Sequence, residues 1–236
     1  MKHLFFDLDK TLWDLEKNSK AALEILYTDL NLSDYTRSFN SFHKTYKKIN
    51  AELWYRYGQG KITREELRFK RFMETLKRFQ ITDVALANTL NEVYSSISPY
   101  QTNLFPEAIN TLEALKKDNH TLHIITNGFK DVQYIKLEKS GLRDYFDVIV
   151  CSDEIGKNKP ALDVFQYAMT NAKADPTESI MIGDDYRVDV VGAIRAGMQG
   201  ILFDPEYSYR DGTHEWHINA LKQIPETIPW IRKTMI

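Results

Sequence analysis

Cysteine is almost absent from this chain. Cys151 is the only one in 236 residues, so no intrachain disulfide can form and no multi-cysteine metal centre can be built. A surplus of either charge is missing too. Basic residues number 31 and acidic residues 33, for a formal net charge of −2, which argues against a platform for a nucleic-acid polymer or an anionic membrane. A small molecule is the expected partner. Long apolar runs are also lacking, since no segment approaches the roughly 20 apolar residues that span a bilayer. The opening Met1-Lys2-His3-Leu4-Phe5-Phe6 has an apolar run of only three residues before Asp7, shorter than a signal peptide requires. A cytoplasmic chain is therefore expected. There is no internal repeat and no low-complexity tract.

What is present is an ordinary globular balance, 43% hydrophobic and 27% charged, with ample chain for a real core. Short apolar runs recur at Lys2–Leu8, Thr121–Thr126, Asp147–Cys151, Ser179–Gly183 and Gly200–Phe203. Continuous runs of this length suit central parallel strands covered on both faces. Helical stretches separate them at Phe105–Asp118, Lys130–Ser140, Leu162–Asn171 and Asp189–Ala196. The alternation predicts right-handed βαβ units, hence an α/β fold with an open, Rossmann-like parallel sheet and helices on both faces. Residues 14–101 read differently. They hold no comparable strand run, Ala21, Leu23, Ile25, Leu26 and Leu30 form an apolar stripe, and Thr63-Arg64-Glu65-Glu66 opens another helix as a capping box. The predicted organisation is a core of residues 1–13 and 102–236 with an all-helical insert over residues 14–101.

The most informative stretch is Phe5-Phe6-Asp7-Leu8-Asp9-Lys10-Thr11. Open parallel sheets bind ligands beyond the carboxyl ends of their strands, where Asp7 and Asp9 fall. Residues two apart on a strand share a face, so two carboxylates there repel unless a cation or a reacting group lies between them. One can then act as nucleophile and the other as general acid/base. Three further strand ends add to this. Thr126-Asn127-Gly128 offers a hydroxyl and exposed backbone N–H groups for phosphate oxygens. Gly156-Lys157-Asn158-Lys159-Pro160 supplies lysines that can neutralise phosphate charge. Gly183-Asp184-Asp185-Tyr186-Arg187-Val188-Asp189 ends an apolar run in acids, and Mg²⁺ takes one or two such carboxylates together with substrate phosphate.

In this order, the four stretches resemble the four motifs of the haloacid dehalogenase-like hydrolase superfamily, and the helical insert is similar to the cap of one of its branches. The resemblance implies that Asp7 attacks phosphorus, that Asp9 protonates the leaving oxygen and later activates water, and that Thr126 binds the phosphoryl group with help from the Asn127 backbone. It implies that Lys159 steadies nucleophile and phosphate, with Lys157 the weaker candidate. Mg²⁺ would be the cofactor, held by Asp7, Asp184 and the Asp9 backbone carbonyl. Asp189 matches the last acid of the family's pattern and would support the metal or the lysine, with Asp185 as an alternative contact.

Two competing chemistries are disfavoured: a dehalogenase has no use for acids at Asp9 and Asp184, and a phospho-receiver domain is half this length. A phosphomutase, which uses the same two aspartates but must shield its phospho-enzyme from water, stays as a lesser alternative. The layout most resembles the pyrimidine nucleotidase branch. A 5′-nucleotidase acting on nucleoside monophosphates is therefore expected, with a sugar-phosphate or phosphoglycolate-type phosphatase as the alternative. In the insert, Leu53-Trp54-Tyr55-Arg56-Tyr57-Gly58-Gln59-Gly60 clusters aromatics before two glycines, which makes Trp54 and Arg56 candidate substrate contacts.

Overall fold

The structure is a computed structural model and describes residues 2–210 and 212–231. The chain divides into two compact units, Met1–Leu15 with Thr102–Ile236, and Glu16–Gln101. The outermost residues of the expected core domain, 1 and 232–236, lie outside the described residues.

The first unit is built on six parallel strands, β1 (His3–Phe6), β2 (Thr121–Thr126), β3 (Val148–Cys151), β4 (Ser179–Gly183), β5 (Gln199–Phe203) and β6 (His217–Ile218), in the order β3-β2-β1-β4-β5-β6. The expected α/β sheet is therefore present, with one strand more than the apolar runs predict. β6 is only two residues long and sits in polar sequence that reads as a loop; its pairing with β5 is what makes it a strand. Alternation sorts the central side chains to two faces. Leu4, Phe6, Ile124, Ile180 and Ile182 share a core with Leu112 and Leu115 of α5 (Ala108–Lys117), Leu137 of α6 (Lys130–Lys139) and Ile224 and Ile228 of the C-terminal helix Ile224–Ile231. Phe5, Ile125 and Met181 pack on the other face against Val164, Phe165 and Ala168 of the helix Leu162–Ala172 and Ala193 of the short helix Val191–Arg195. Fully covered strands explain the unbroken apolar runs.

Chain order reverses at β1, which has β2 on one side and β4 on the other. A crevice for ligand opens at such a switch point, outside the carboxyl ends. Asp7 follows β1 and Asp184 follows β4, and the Asp7 N–H extends the pairing by donating to Ile182 O at 2.9 Å.

The second unit is helical, with α1 (Leu15–Asp29) beginning at its border and α2 (Phe39–Gly58), α3 (Arg64–Lys77) and α4 (Val84–Ile97) inside it. The capping box read from the sequence is formed. Thr63 accepts from the Glu66 N–H, and Glu66 accepts from the Thr63 N–H at 2.9 Å. Leu23 and Leu26, Phe42 and Tyr46, Phe72 and Leu76, and Leu90 and Tyr94 contribute one core from all four helices. Among the described residues, no helix is long and apolar enough to cross a membrane.

Candidate active site

The site grows from the ends of β1, β2 and β4 and from the loop that follows β3. Asp7 is 7% exposed, Lys159 4% and Asp189 2%, so their charges must be compensated by one another. Lys159 Nζ donates to Asp7 Oδ1 at 2.8 Å, to Asp189 Oδ1 at 2.7 Å and to the Ile125 carbonyl at 2.7 Å. Those three acceptors use all three ammonium protons.

The lysine is itself held by its backbone. The Asn127 side chain bridges to Lys159 from the end of β2, accepting from its N–H at 2.8 Å and donating to its carbonyl at 3.1 Å. The Ser152 hydroxyl donates to Asn127 Oδ1 at 2.7 Å. The Asn127 side chain is therefore engaged with the lysine loop. Thr126 is buried, and its Oγ1 accepts from the Gly128 N–H at 3.1 Å. Lys157 makes an exposed ion pair with Asp163 at 2.7 Å and takes no part in this cluster.

Asp184 and Asp189, after β4, and Asp7, after β1, each offer a carboxylate oxygen, and the three oxygens lie within 4.8 Å of one another. Burial pushes the Asp7 carboxyl up to about 7. Lys159 opposes the shift, and Asp189 and Asp9 add to it. Burial, then Asp7 and Asp189, push Asp184 up to about 8. Asp189 is raised by burial against the pull of Lys159. Burial lowers Lys159, but Asp189 and Asp7 outweigh it and hold the ammonium above its ordinary range. Three crowded acids facing one ammonium leave negative charge that a further cation would offset. The donors are all hard carboxylate oxygens, with no imidazole or thiolate among them, so the set fits Mg²⁺. Asp189 is already engaged, through Oδ1 with Lys159 and through Oδ2 with the Asp185 N–H at 3.1 Å. Asp185 is occupied as well, because its Oδ1 caps the turn Tyr186–Val190 by accepting from the Arg187 and Val188 N–H groups at 2.9 Å.

Asp9 departs from expectation. β1 ends at Phe6, and the chain then turns, with the Leu12 and Trp13 N–H groups folding back onto Leu8 O at 3.0 and 2.9 Å. Asp9 therefore lies in the turn beyond the strand, where strand alternation does not place its side chain. Lys136 Nζ donates to both Asp9 oxygens, at 2.6 and 2.9 Å, and Gln133 Nε2 donates to Oδ2 at 2.8 Å. The Asp9 carboxylate is not part of the three-acid cluster. Sequence reasoning missed Gln133 and Lys136. The signal was their spacing of three on α6, which puts both on one helix face, directly after the Thr126-Asn127-Gly128 turn.

Trp54 and Arg56 belong to the helical unit. Trp54 is half-buried at the end of α2, packed with Leu53, Ile62 and Leu67 and edge-on to Tyr57 at 5.7 Å. Arg56 is half-buried, and its carbonyl accepts from the Lys61 N–H at 3.0 Å.

Comparison with known proteins agrees with this geometry. A family model described as haloacid dehalogenase-like hydrolase matches residues 4–203. The chain is 33% identical over 196 residues to the pyrimidine 5′-nucleotidase YjjG of Escherichia coli, covering 83% of this chain and 82% of that one. It is 32% identical to a ribulose-1,5-bisphosphate 5-phosphatase of Halopiger xanaduensis, covering 86% and 84%. Among solved structures it is similar to the HAD-hydrolase YfnB of Bacillus subtilis bound to magnesium, with a TM-score of 0.86, 27% identity and coverage of 97% and 98%.

Proposed function

The chain belongs to the haloacid dehalogenase-like hydrolase family, and from that premise we propose that it hydrolyses small phosphomonoesters through an aspartyl-phosphate on Asp7. The observation that carries this reading is the buried Asp7 carboxylate, at the switch point of the sheet, bonded to Lys159 Nζ at 2.8 Å. An Asp7 oxygen attacks phosphorus in line with the ester oxygen, and the P–O bond to the alcohol breaks. Asp9 gives that oxygen its proton. Asp9 then takes a proton from water as the water attacks phosphorus and the Asp7–phosphorus bond breaks, releasing inorganic phosphate and restoring both carboxyl groups. Lys159 holds the nucleophile and offsets phosphate charge, Thr126 and the Asn127 backbone orient the phosphoryl oxygens, and Asp189 keeps the lysine in place.

Phosphoryl transfer is mostly positioning and charge neutralisation, which is what this arrangement supplies. Mg²⁺ is the proposed cofactor. Asp7, Asp184 and the Asp9 backbone carbonyl are its proposed ligands, with Asp189 supporting them, and when bound it supplies the charge neutralisation that lets a carboxylate approach a phosphate dianion.

A nucleoside monophosphate is the proposed substrate, supported by the similarity to the Escherichia coli pyrimidine 5′-nucleotidase. Trp54 and Arg56 are proposed substrate contacts. The similarity to a ribulose-1,5-bisphosphate 5-phosphatase favours sugar phosphates as a second reading. The test is phosphate release with Mg²⁺ across nucleoside monophosphates and sugar phosphates, with Asp7→Asn as the blank. Turnover of pyrimidine monophosphates is expected. Turnover confined to sugar phosphates would select the second reading, and release that survives Asp7→Asn would overturn the mechanism.

A further inference from the structure

We propose that Lys136 and Gln133 are positioning residues for proton transfer, forming a clamp on α6 that holds the Asp9 carboxylate where it can serve the leaving group. The inference rests on the phosphatase reading above and extends it to two residues outside the four motif stretches.

Neither side chain is placed as solvent-facing helix surface would place it. Lys136 is 5% exposed and Gln133 is 1% exposed, although an ammonium and a carboxamide cost free energy to bury unless they are engaged. Their engagement is Asp9. Lys136 Nζ reaches both carboxylate oxygens, and Gln133 Nε2 reaches Oδ2. The lysine is held from behind as well, with Nζ 4.2 Å from the Trp13 ring centroid, a cation–π contact that limits where the ammonium can go. Trp13 is itself fully buried.

The amide orientation of Gln133 follows from the same arrangement. Its Oε1 is buried with no partner, but exchanging the two amide atoms would point an oxygen at a carboxylate. The orphaned acceptor is thus the cost of aiming the N–H₂ at Asp9.

Room for that amide is made by Gly128. A Cβ there would overlap the Gln133 carboxamide and stand 2.8 Å from its Cγ. The glycine of the turn after β2 therefore lets α6 reach across to the turn after β1.

A carboxylate offers about four lone-pair sites. The clamp takes two on Oδ2 and one on Oδ1, which leaves one site, on Oδ1, for the catalytic proton. The clamp itself transfers nothing: it fixes the plane of the carboxylate and which oxygen is free.

The test separates proton transfer from general damage by leaving group. An alkyl phosphate must have its departing oxygen protonated, whereas p-nitrophenolate leaves as an anion without that help. Lys136→Met and Gln133→Leu are assayed with Mg²⁺ on both esters, with Lys136→Arg as the conservative variant and thermal unfolding as a check on folding. For Lys136→Met the expected result is a fall in kcat/KM, which reports phosphoryl transfer to Asp7 and not the later attack of water, of about 10- to 100-fold on the alkyl ester, the scale of a misplaced catalytic group. On p-nitrophenyl phosphate the fall in kcat/KM stays within about threefold, and Lys136→Arg recovers part of the loss on the alkyl ester. Gln133→Leu follows the same selective pattern at smaller size, and it carries the test alone if Lys136→Met does not fold. Equal losses of kcat/KM on both esters, or no loss on either, would overturn the inference while leaving the phosphatase reading intact. A wild-type chain that hydrolyses neither ester would overturn the phosphatase reading, and this inference with it.

Discussion

Replacing Gly183 with alanine adds one methyl group at a position with no functional group, yet it should damage both stability and catalysis. A Cβ on Gly183 would overlap the Asp189 carboxylate and lie 2.6 Å from Asp189 Cβ. Asp189 is buried and cannot swing into solvent, so it must shift, and its bond to Lys159 Nζ at 2.7 Å is lost or stretched. Breaking one side of a buried ion pair costs about 3–5 kcal/mol. Alanine in place of glycine in a strand returns roughly 0.5–1 kcal/mol of backbone entropy. Lys159 also keeps Asp7 and the Ile125 carbonyl, so a net loss of about 2–4 kcal/mol is expected. A lysine displaced by even about 1 Å should lower kcat on the order of 10²-fold. Urea unfolding and phosphate release would measure the two effects. Asp189→Asn weakens the same contact by another route, so the double variant should lose much less than the sum of the singles. A Gly183→Ala protein with wild-type urea midpoint and kcat would refute the claim that Asp189 is pinned against this glycine to serve Lys159.

Asn127→Ala removes two bonds to the Lys159 backbone and should lower stability by about 1–3 kcal/mol, with kcat falling more than KM rises. Stripping divalent cation with EDTA should abolish turnover and added Mg²⁺ should restore it; activity that persists after exhaustive chelation would remove the metal from the proposal. Burial and the neighbouring His3 hold buried His123 at about 4 against an ordinary 6.5, so the unfolded chain takes up the proton first as pH falls. The stability this neutral imidazole contributes is therefore complete above about pH 6.5 and declines toward pH 4, by about 2 kcal/mol at pH 5. Urea titrations at pH 7.5 and 5 should show the wild type changing by about 2 kcal/mol in the destabilising direction relative to His123→Leu, the carboxylates common to both cancelling in the difference.

The reach of the sequence can be judged from particular residues. Thr121–Thr126 and Ser179–Gly183 read as strands with the bounds they have in the fold, because a strand covered on both faces is a near-continuous apolar run. β6 could not be read. His217 and Ile218 carry no such pattern, and only the neighbouring edge of β5 makes them a strand. Strand-end logic brought Asp7, Thr126 and Asp184 to one rim without knowledge of contacts. It could not say which lysine of Lys157 and Lys159 turns inward, since both follow the same loop. That depends on Asn127 gripping one backbone and Asp163 drawing the other lysine to the surface.

Asp9 shows why the remainder stayed hidden. A period of two applies only while the chain is a strand, and β1 stops one residue before Asp7. Past that point the direction of a side chain is decided by what surrounds it. For Asp9 the surroundings are a lysine and a glutamine from a helix more than a hundred residues away, whose apolar stripe is interrupted by those same two polar side chains. The glycines at the ends of β2 and β4 are the sequence trace of these buried contacts. Gly128 and Gly183 lack a side chain because a carboxamide and a carboxylate fill the volume a Cβ would take. The acids and lysines of the motifs announce chemistry, while the two glycines record how closely the groups that aim that chemistry have to pack. Each of these two glycines thus marks a buried polar neighbour, Gln133 beside Gly128 and Asp189 beside Gly183.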